Sequence, residues 1–204
     1  MLFLSQIIPV KGIERVLRGI HSIGSSKFSN WEFVIAGYEN VSYKDFLIKT
    51  IDRLNLKSLV SFVGPIFGQN KIDLYDSASV FILPSFSEGR PISIIEALAR
   101  GVPAITTKGT PWEELNTYNC GFWVENSEEG IKTGLITAHD SKVLQNMEHI
   151  VTRMDYISAG HYNKVDVLKD WLKKENLFII IKMTLLSYNL QIRIYSFLST
   201  SSVP

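Results

Sequence analysis

Cysteine is almost missing: Cys120 is the single one in 204 residues. That excludes an internal disulfide, and no Cys/His group has the spacing of zinc ligands, so no metal is expected. A reducing, cytoplasmic setting is the simplest expectation. An excess of charge is missing too. Lys and Arg number 21 against 20 Asp and Glu, a net +1, and no basic run is interleaved with aromatics. Nucleic acid is therefore not an expected partner. The opening residues Met1–Gln6 carry no basic segment, and Pro9 arrives too soon for a signal peptide. Long uncharged apolar runs are also absent. The nearest, Leu177–Leu198, is interrupted by Lys182, Asn189, Gln191 and Arg193, whereas a membrane span needs about 20 mainly apolar residues. Three readings of this tail stay open: a packed terminal helix, a strand pair, or a segment touching the inner face of a membrane. Internal repeats and low-complexity linkers do not occur.

What is present is an ordinary globular balance, 46% hydrophobic and 20% charged, sufficient to bury a core. Short apolar runs alternate with helical stretches. Strands are expected at Met1–Gln6, Trp31–Gly37, Val60–Val63, Val80–Leu83, Ala104–Thr107 and Gly121–Val124. Continuous apolarity, as in Val80-Phe81-Ile82-Leu83, is the mark of strands covered on both faces. Between them, Gly12–Ile23 sets Ile13, Val16, Leu17 and Ile20 on one helical face, and Lys44–Leu54 does so with Leu47, Ile48, Ile51 and Leu54. Further helices are expected at Asn70–Ser77 and Pro91–Arg100, the latter stopped by Gly101 and Pro103. The pattern predicts an α/β fold with a Rossmann-like, doubly wound parallel sheet. Residues 1–140 form the main domain, 141–176 a helical extension of it, and 177–204 the apolar tail. Ligands of such sheets sit beyond the carboxyl ends of the strands, which directs attention to Gln6–Gly12, Gly37–Glu39, Gly64–Gly68, Pro84–Ile92 and Thr107–Glu113.

Ser85–Gly101 carries the most chemistry. The chain leaves a buried strand at Leu83, turns through Pro84–Gly89 and enters a helix with Pro91 near its first position, where a missing N–H costs nothing. The unpaired amides and dipole of a helix start suit an anion such as a diphosphate. Gly89 allows close backbone approach. Glu88 precedes the helix and Glu96 lies a little over one turn inside it. Ionised carboxylates only accept hydrogen bonds, so they suit the paired hydroxyls of a sugar or ribose. Two glutamates at this spacing alone are more often solvated surface carboxylates.

The surrounding residues change that balance. Pro84, Ser85, Glu88, Gly89, Pro91, Glu96, Ala97, Ala99, Gly101 and Pro103 resemble the signature of the group 1 glycosyltransferases, retaining enzymes of GT-B fold, in which seven residues separate two glutamates. Segments similar to that family recur in order: Phe3-Leu4-Ser5 with Pro9 and Lys11-Gly12, Phe33–Gly37, Val60–Gly64, Thr106 with Gly109–Leu115, and Cys120–Val124. The last two look like a subset that acts on surface polysaccharide or lipopolysaccharide. The resemblance covers about residues 1–137 and implies one half of a GT-B fold, the carboxyl-terminal, donor-binding half. It implies that Glu88 contacts donor-sugar hydroxyls, Glu96 the ribose, and Lys11 the diphosphate. The amides of Gly89, Arg90 and Ile92, with Pro91 opening the helix between them, and the backbone at Gly12 would assist, and Pro65–Gln69 would border the base. Catalysis would consist of stabilising the departing nucleoside diphosphate without a metal or other cofactor; the donor, UDP- or GDP-linked, is a substrate.

Three positions depart from the family pattern. Gln6 stands where an arginine is usual, Arg90 where many members have phenylalanine, and Pro91 where glycine is frequent. No acceptor-binding half is recognised either, so the resemblance implies a chain with little transferase activity alone, completed by a separately encoded amino-terminal domain. The alternative is a module that binds nucleotide or nucleotide sugar without turnover. A third reading, a structural protein that has lost the site, is opposed by Lys11, Glu88 and Glu96.

The remaining candidates are weaker. His21, His139, His149 and His161 have no metal spacing and are read as surface or helix-end residues. Trp123 and Cys120 are expected in the core, and Trp112 is left open. Ser85 and Ser87 have no partner histidine for a hydrolase triad. Lys108 is expected to be exposed.

Overall fold

The computed structural model describes residues 1–140; the expected extension 141–176 and apolar tail 177–204 lie outside the described residues. Six strands carry the architecture: β1 (Leu2–Leu4), β2 (Phe33–Ala36), β3 (Val60–Gly64), β4 (Phe81–Leu83), β5 (Ala104–Thr107) and β6 (Gly121–Val124). They form one sheet in the order β3-β2-β1-β4-β5-β6, and every pairing is parallel. Leu2 is paired with Val34 on one side and with Phe81 on the other. The strand order therefore reverses between β1 and β4, and the crevice beyond their carboxyl ends is the topological switch point of a doubly wound sheet.

Six α-helices pack on the sheet: α1 (Ile13–Ile23), α2 (Val41–Arg53), α3 (Gly68–Asp76), α4 (Ile92–Ala99), α5 (Glu114–Thr117) and α6 (Glu128–Asp140). Their apolar stripes and the strands share one core, in which Phe3, Phe33, Phe81, Ile13, Leu17, Ile20, Ile35 and Leu47 are fully buried. Each such side chain contributes roughly 1.5–3 kcal/mol of transfer free energy.

The elements differ from expectation mainly at their ends. The first strand stops at Leu4, short of Gln6, and the chain then runs through a 3-10 turn, Pro9–Lys11. α2 begins at Val41 instead of Lys44, because Asn40 is its N-cap: the Oδ1 of Asn40 accepts the amide of Tyr43 at 3.0 Å. α3 begins at Gly68, ahead of Asn70. Pro91 is the residue before α4, with φ −64° and ψ 124°, and the first helical residue is Ile92. α6 was not anticipated at all. Its buried face is Ile131, Leu135 and Ala138 with Gly130 and Gly134 between, and the two glycines hide the helical periodicity.

Candidate functional site

The site is assembled from the loops that follow β1 and β4. After β1 the chain turns at Pro9–Lys11 and enters α1 through Gly12, whose φ is +63°. A Cβ there would lie 2.6 Å from the carbonyl oxygen of Pro84, so only glycine lets the β1 loop touch the β4 loop this closely. The backbone joins the loops as well: the amide of Phe86 donates to the carbonyl of Val10 at 2.9 Å.

Ser85–Glu88 is fixed from several directions. Thr107 Oγ1 donates to the carbonyl of Ser85 at 2.5 Å, and the amide of Glu88 donates to the carbonyl of Gly109 at 2.9 Å. Asn126 Nδ2 donates to the carbonyl of Phe86 at 2.7 Å. Arg15, a residue that sequence reasoning passed over, completes the frame. Only 4% exposed, it donates to the Pro84 carbonyl and, at 2.9 Å, to Asn126 Oδ1. Its guanidinium lies 3.9 Å from the centroid of the Phe86 ring, a cation–π contact. Burial lowers its pKa from the usual arginine value. Arg15 thus ties α1, the β4–α4 loop and the β6–α6 loop together. A single arginine in an amphipathic helix gives no signal of this in the sequence.

Within this frame Lys11 forms an ion pair with Glu88 Oε1, and Ser85 Oγ donates to the same oxygen at 2.9 Å. Both charged side chains are largely enclosed, at 12% and 16% exposure. Among the described residues nothing donates to Oε2 of Glu88. One oxygen is therefore committed to the protein, and the other remains available to a hydroxyl. The ammonium of Lys11 keeps donors beyond the one aimed at Glu88.

Glu96 belongs to a second group. It is held on α4 by α3: Lys71 Nζ donates to Oε1 at 2.6 Å and the Tyr75 hydroxyl to Oε2 at 3.0 Å. Between the two groups lies the start of α4, where no side chain caps the first amides. Gly89 is exposed and a Cβ there would meet nothing within 4 Å. Gln6 is exposed at the end of β1. Arg90 turns to the β5–α5 side, donating to Glu114 at 2.7 Å and lying 5.1 Å from the Trp112 ring centroid.

Trp112 is buried, at 7% exposure. Trp123, expected in the core, is half-buried on β6, the last strand of the sheet among the described residues, and its Nε1 donates to the carbonyl of Thr110 at 2.7 Å. Cys120 is buried. Lys108 is exposed and paired with Glu125. His21 and His139 sit in the last turns of α1 and α6; His149 and His161 lie outside the described residues. A shallow concavity at Asp52, Asn55, Lys57 and Ser58 occupies the turn from α2 into β3, at the amino end of the sheet. Among the described residues, no helix is long and apolar enough to cross a membrane.

The sequence profile described as "Glycosyl transferases group 1" matches residues 1–151. The chain belongs to the group 1 glycosyltransferases. Among curated relatives in this family, an uncharacterised glycosyltransferase of Methanocaldococcus jannaschii is 31% identical over 125 residues, covering 61% of this chain and 31% of that protein. The UDP-Gal:alpha-D-GlcNAc-diphosphoundecaprenol alpha-1,3-galactosyltransferase of Escherichia coli is 29% identical over 126 residues, 57% of this chain and 30% of that protein. The chain thus spans about a third of the length of these relatives. Solved glycosyltransferases share its fold. WaaG, which is involved in lipopolysaccharide biosynthesis, superposes with a TM-score of 0.65 at 22% identity, over 76% of this chain and 42% of that one. The carboxyl-terminal domain of the group 1 protein LpcC from Francisella tularensis superposes with a TM-score of 0.63 at 24% identity, over 74% of this chain and 84% of that domain. The architecture is that of one Rossmann-like half of a GT-B glycosyltransferase.

Proposed function

We propose that this chain is the donor-binding half of a glycosyltransferase, which takes a UDP- or GDP-linked sugar in the crevice beyond β1 and β4. The observation that carries the reading is the enclosed Lys11–Glu88 pair at the switch point, next to the uncapped start of α4. A cation and free amides suit the diphosphate, and the unengaged oxygen of Glu88 suits a sugar hydroxyl. Glu96, on the far side of the α4 start, suits the ribose. As the glycosidic bond breaks, negative charge develops on the departing diphosphate, and Lys11 with the amides of Gly89, Arg90 and Ile92 meets it. The open space around Gly89 leaves room for that approach. Exposed Phe67, within the Pro65–Gln69 loop assigned to the base, lies against exposed Tyr38, with ring centroids 6.0 Å apart.

The acceptor in this reading lies in surface polysaccharide or lipopolysaccharide synthesis. The diphosphoundecaprenol-linked substrate named for the Escherichia coli relative and the lipopolysaccharide role of WaaG support it. An amino-terminal acceptor domain supplies the other wall of the cleft. Lone, buried Cys120 supports a cytoplasmic setting.

A second reading, binding without turnover, is favoured by one observation. Gln6 places a neutral amide at the end of β1, and Arg90, engaged with Glu114, does not supply the missing cation. Calorimetric titration with UDP- and GDP-sugars tests the site shared by both readings. Uptake of one of them is expected, weakened about tenfold or more by Lys11→Met and by Glu96→Ala, a loss of at least roughly 1.4 kcal/mol. Heat from neither nucleotide would refute donor binding.

A further inference from the structure

Glu96 does not hang freely from α4, because one neighbouring helix engages both of its oxygens. Lys71 and Tyr75 stand four residues apart on α3 and so share a face. Lys71 takes Oε1 at 2.6 Å and Tyr75 takes Oε2 at 3.0 Å. The two supports differ in kind. Lys71 is 27% exposed on its side chain, and its flexible stem gives a weak positional constraint. Tyr75 is 2% exposed. Its ring packs against Phe81 of β4 with centroids 5.8 Å apart, and its hydroxyl lies 3.3 Å from the carbonyl of Ser93, one turn before Glu96. The ring is thus anchored to the sheet, and the hydroxyl, with its single proton, is held against α4. Burial, and then the charge of Glu96, push the Tyr75 hydroxyl well above its usual pKa, so it remains a neutral donor.

We propose that Tyr75, backed by Lys71, is a positioning residue that presets the Glu96 carboxylate to accept the two vicinal hydroxyls of a ribose. This rests on the donor-binding reading above. A carboxylate offers about four lone-pair sites on its two oxygens. α3 uses one on each oxygen, which leaves one on each for a diol that donates twice. Without Tyr75 the glutamate side chain samples several rotamers, and ordering it is charged against binding. With Tyr75 it is ordered beforehand.

The test uses the whole chain and four probes: UDP, GDP and their 2′,3′-dideoxy counterparts, titrated calorimetrically, with thermal unfolding as a control. The native chain is expected to prefer a ribonucleotide over its dideoxy form. In Tyr75→Phe, affinity for the ribonucleotide falls about tenfold while the dideoxy affinity holds, so the preference collapses. Lys71→Met moves the same way but less. A Tyr75→Phe chain that keeps its full ribose preference overturns the proposal. So does one that loses both ligands equally, since that marks a purely structural role. If Glu96→Ala abolishes the preference and Tyr75→Phe does not, the positioning role alone fails. If the native chain binds neither UDP nor GDP, the donor-binding reading fails and takes this one with it.

Discussion

Gly12 is where a single residue decides whether the two site loops meet. Its φ of +63° and the 2.6 Å that would separate an added Cβ from the Pro84 carbonyl combine backbone strain with a clash. Gly12→Ala is expected to lower the unfolding free energy by about 1–3 kcal/mol, read from urea unfolding; an unchanged midpoint would contradict the close approach. A second residue-scale expectation concerns alkaline pH. Burial first, then the Glu14 hydrogen bond, raises the Tyr43 hydroxyl, and burial first, then the Glu96 charge, raises that of Tyr75. The unfolded chain ionises these groups near pH 10. Their neutral state therefore contributes stability that is complete below about pH 10 and is lost as pH climbs toward the folded values. Unfolding free energy should decline above about pH 10, and Tyr43→Phe and Tyr75→Phe should each flatten part of that decline in a pH series. In the sequence Glu88 and Glu96 stand out as candidates because they share one short motif, and Lys11 only through a separate family-like segment. The sequence did not disclose that Lys11 reaches Glu88 while Glu96 reaches Lys71 and Tyr75, because those partners are brought together by strand order.

Among elements, the β4–α4 loop depends on α1 through one buried side chain. Arg15 binds the Pro84 carbonyl and Asn126, and stacks on Phe86. Arg15→Met keeps the apolar bulk but leaves a buried carbonyl and an amide without their partner. Amide hydrogen exchange at Phe86 and Glu88, whose N–H groups donate to Val10 and Gly109, should accelerate by about tenfold in the variant. Protection equal to that of the native chain would remove Arg15 from the frame. Strands β5 and β6 were readable to the residue, since Pro103 and Gly109 bracket the first and Gly121 opens the second. α6 was not, because Gly130 and Gly134 interrupt its apolar stripe; a Cβ at Gly130 would lie 2.1 Å from the Glu125 carbonyl oxygen, and one at Gly134 2.9 Å from Ile105 Cγ2 of β5. Trp123 misled for the opposite reason. An aromatic in an apolar run reads as core, and only the sheet order shows that β6 is the outermost strand among the described residues.

For the molecule as a whole, the doubly wound sheet was legible from the alternation of strands and helices, and its order puts the switch point, where sheets of this kind take their ligands, between β1 and β4. The local motif after Leu83 singles out the β4 end; the reversal of strand order adds that the β1 end lies beside it. The chain spans about a third of the length of these curated relatives; on the donor-binding proposal, adding an acceptor-binding domain is expected to raise sugar transfer, measured as product formed from a radiolabelled donor. The central claim concerns the crevice itself. A crystal soaked with UDP or GDP tests it most directly. Density for the diphosphate should lie beyond the carboxyl ends of β1 and β4, within hydrogen-bond distance of Lys11 Nζ and the amides that open α4. A nucleotide lodged elsewhere, for example in the concavity at Asp52 and Lys57, would contradict the account.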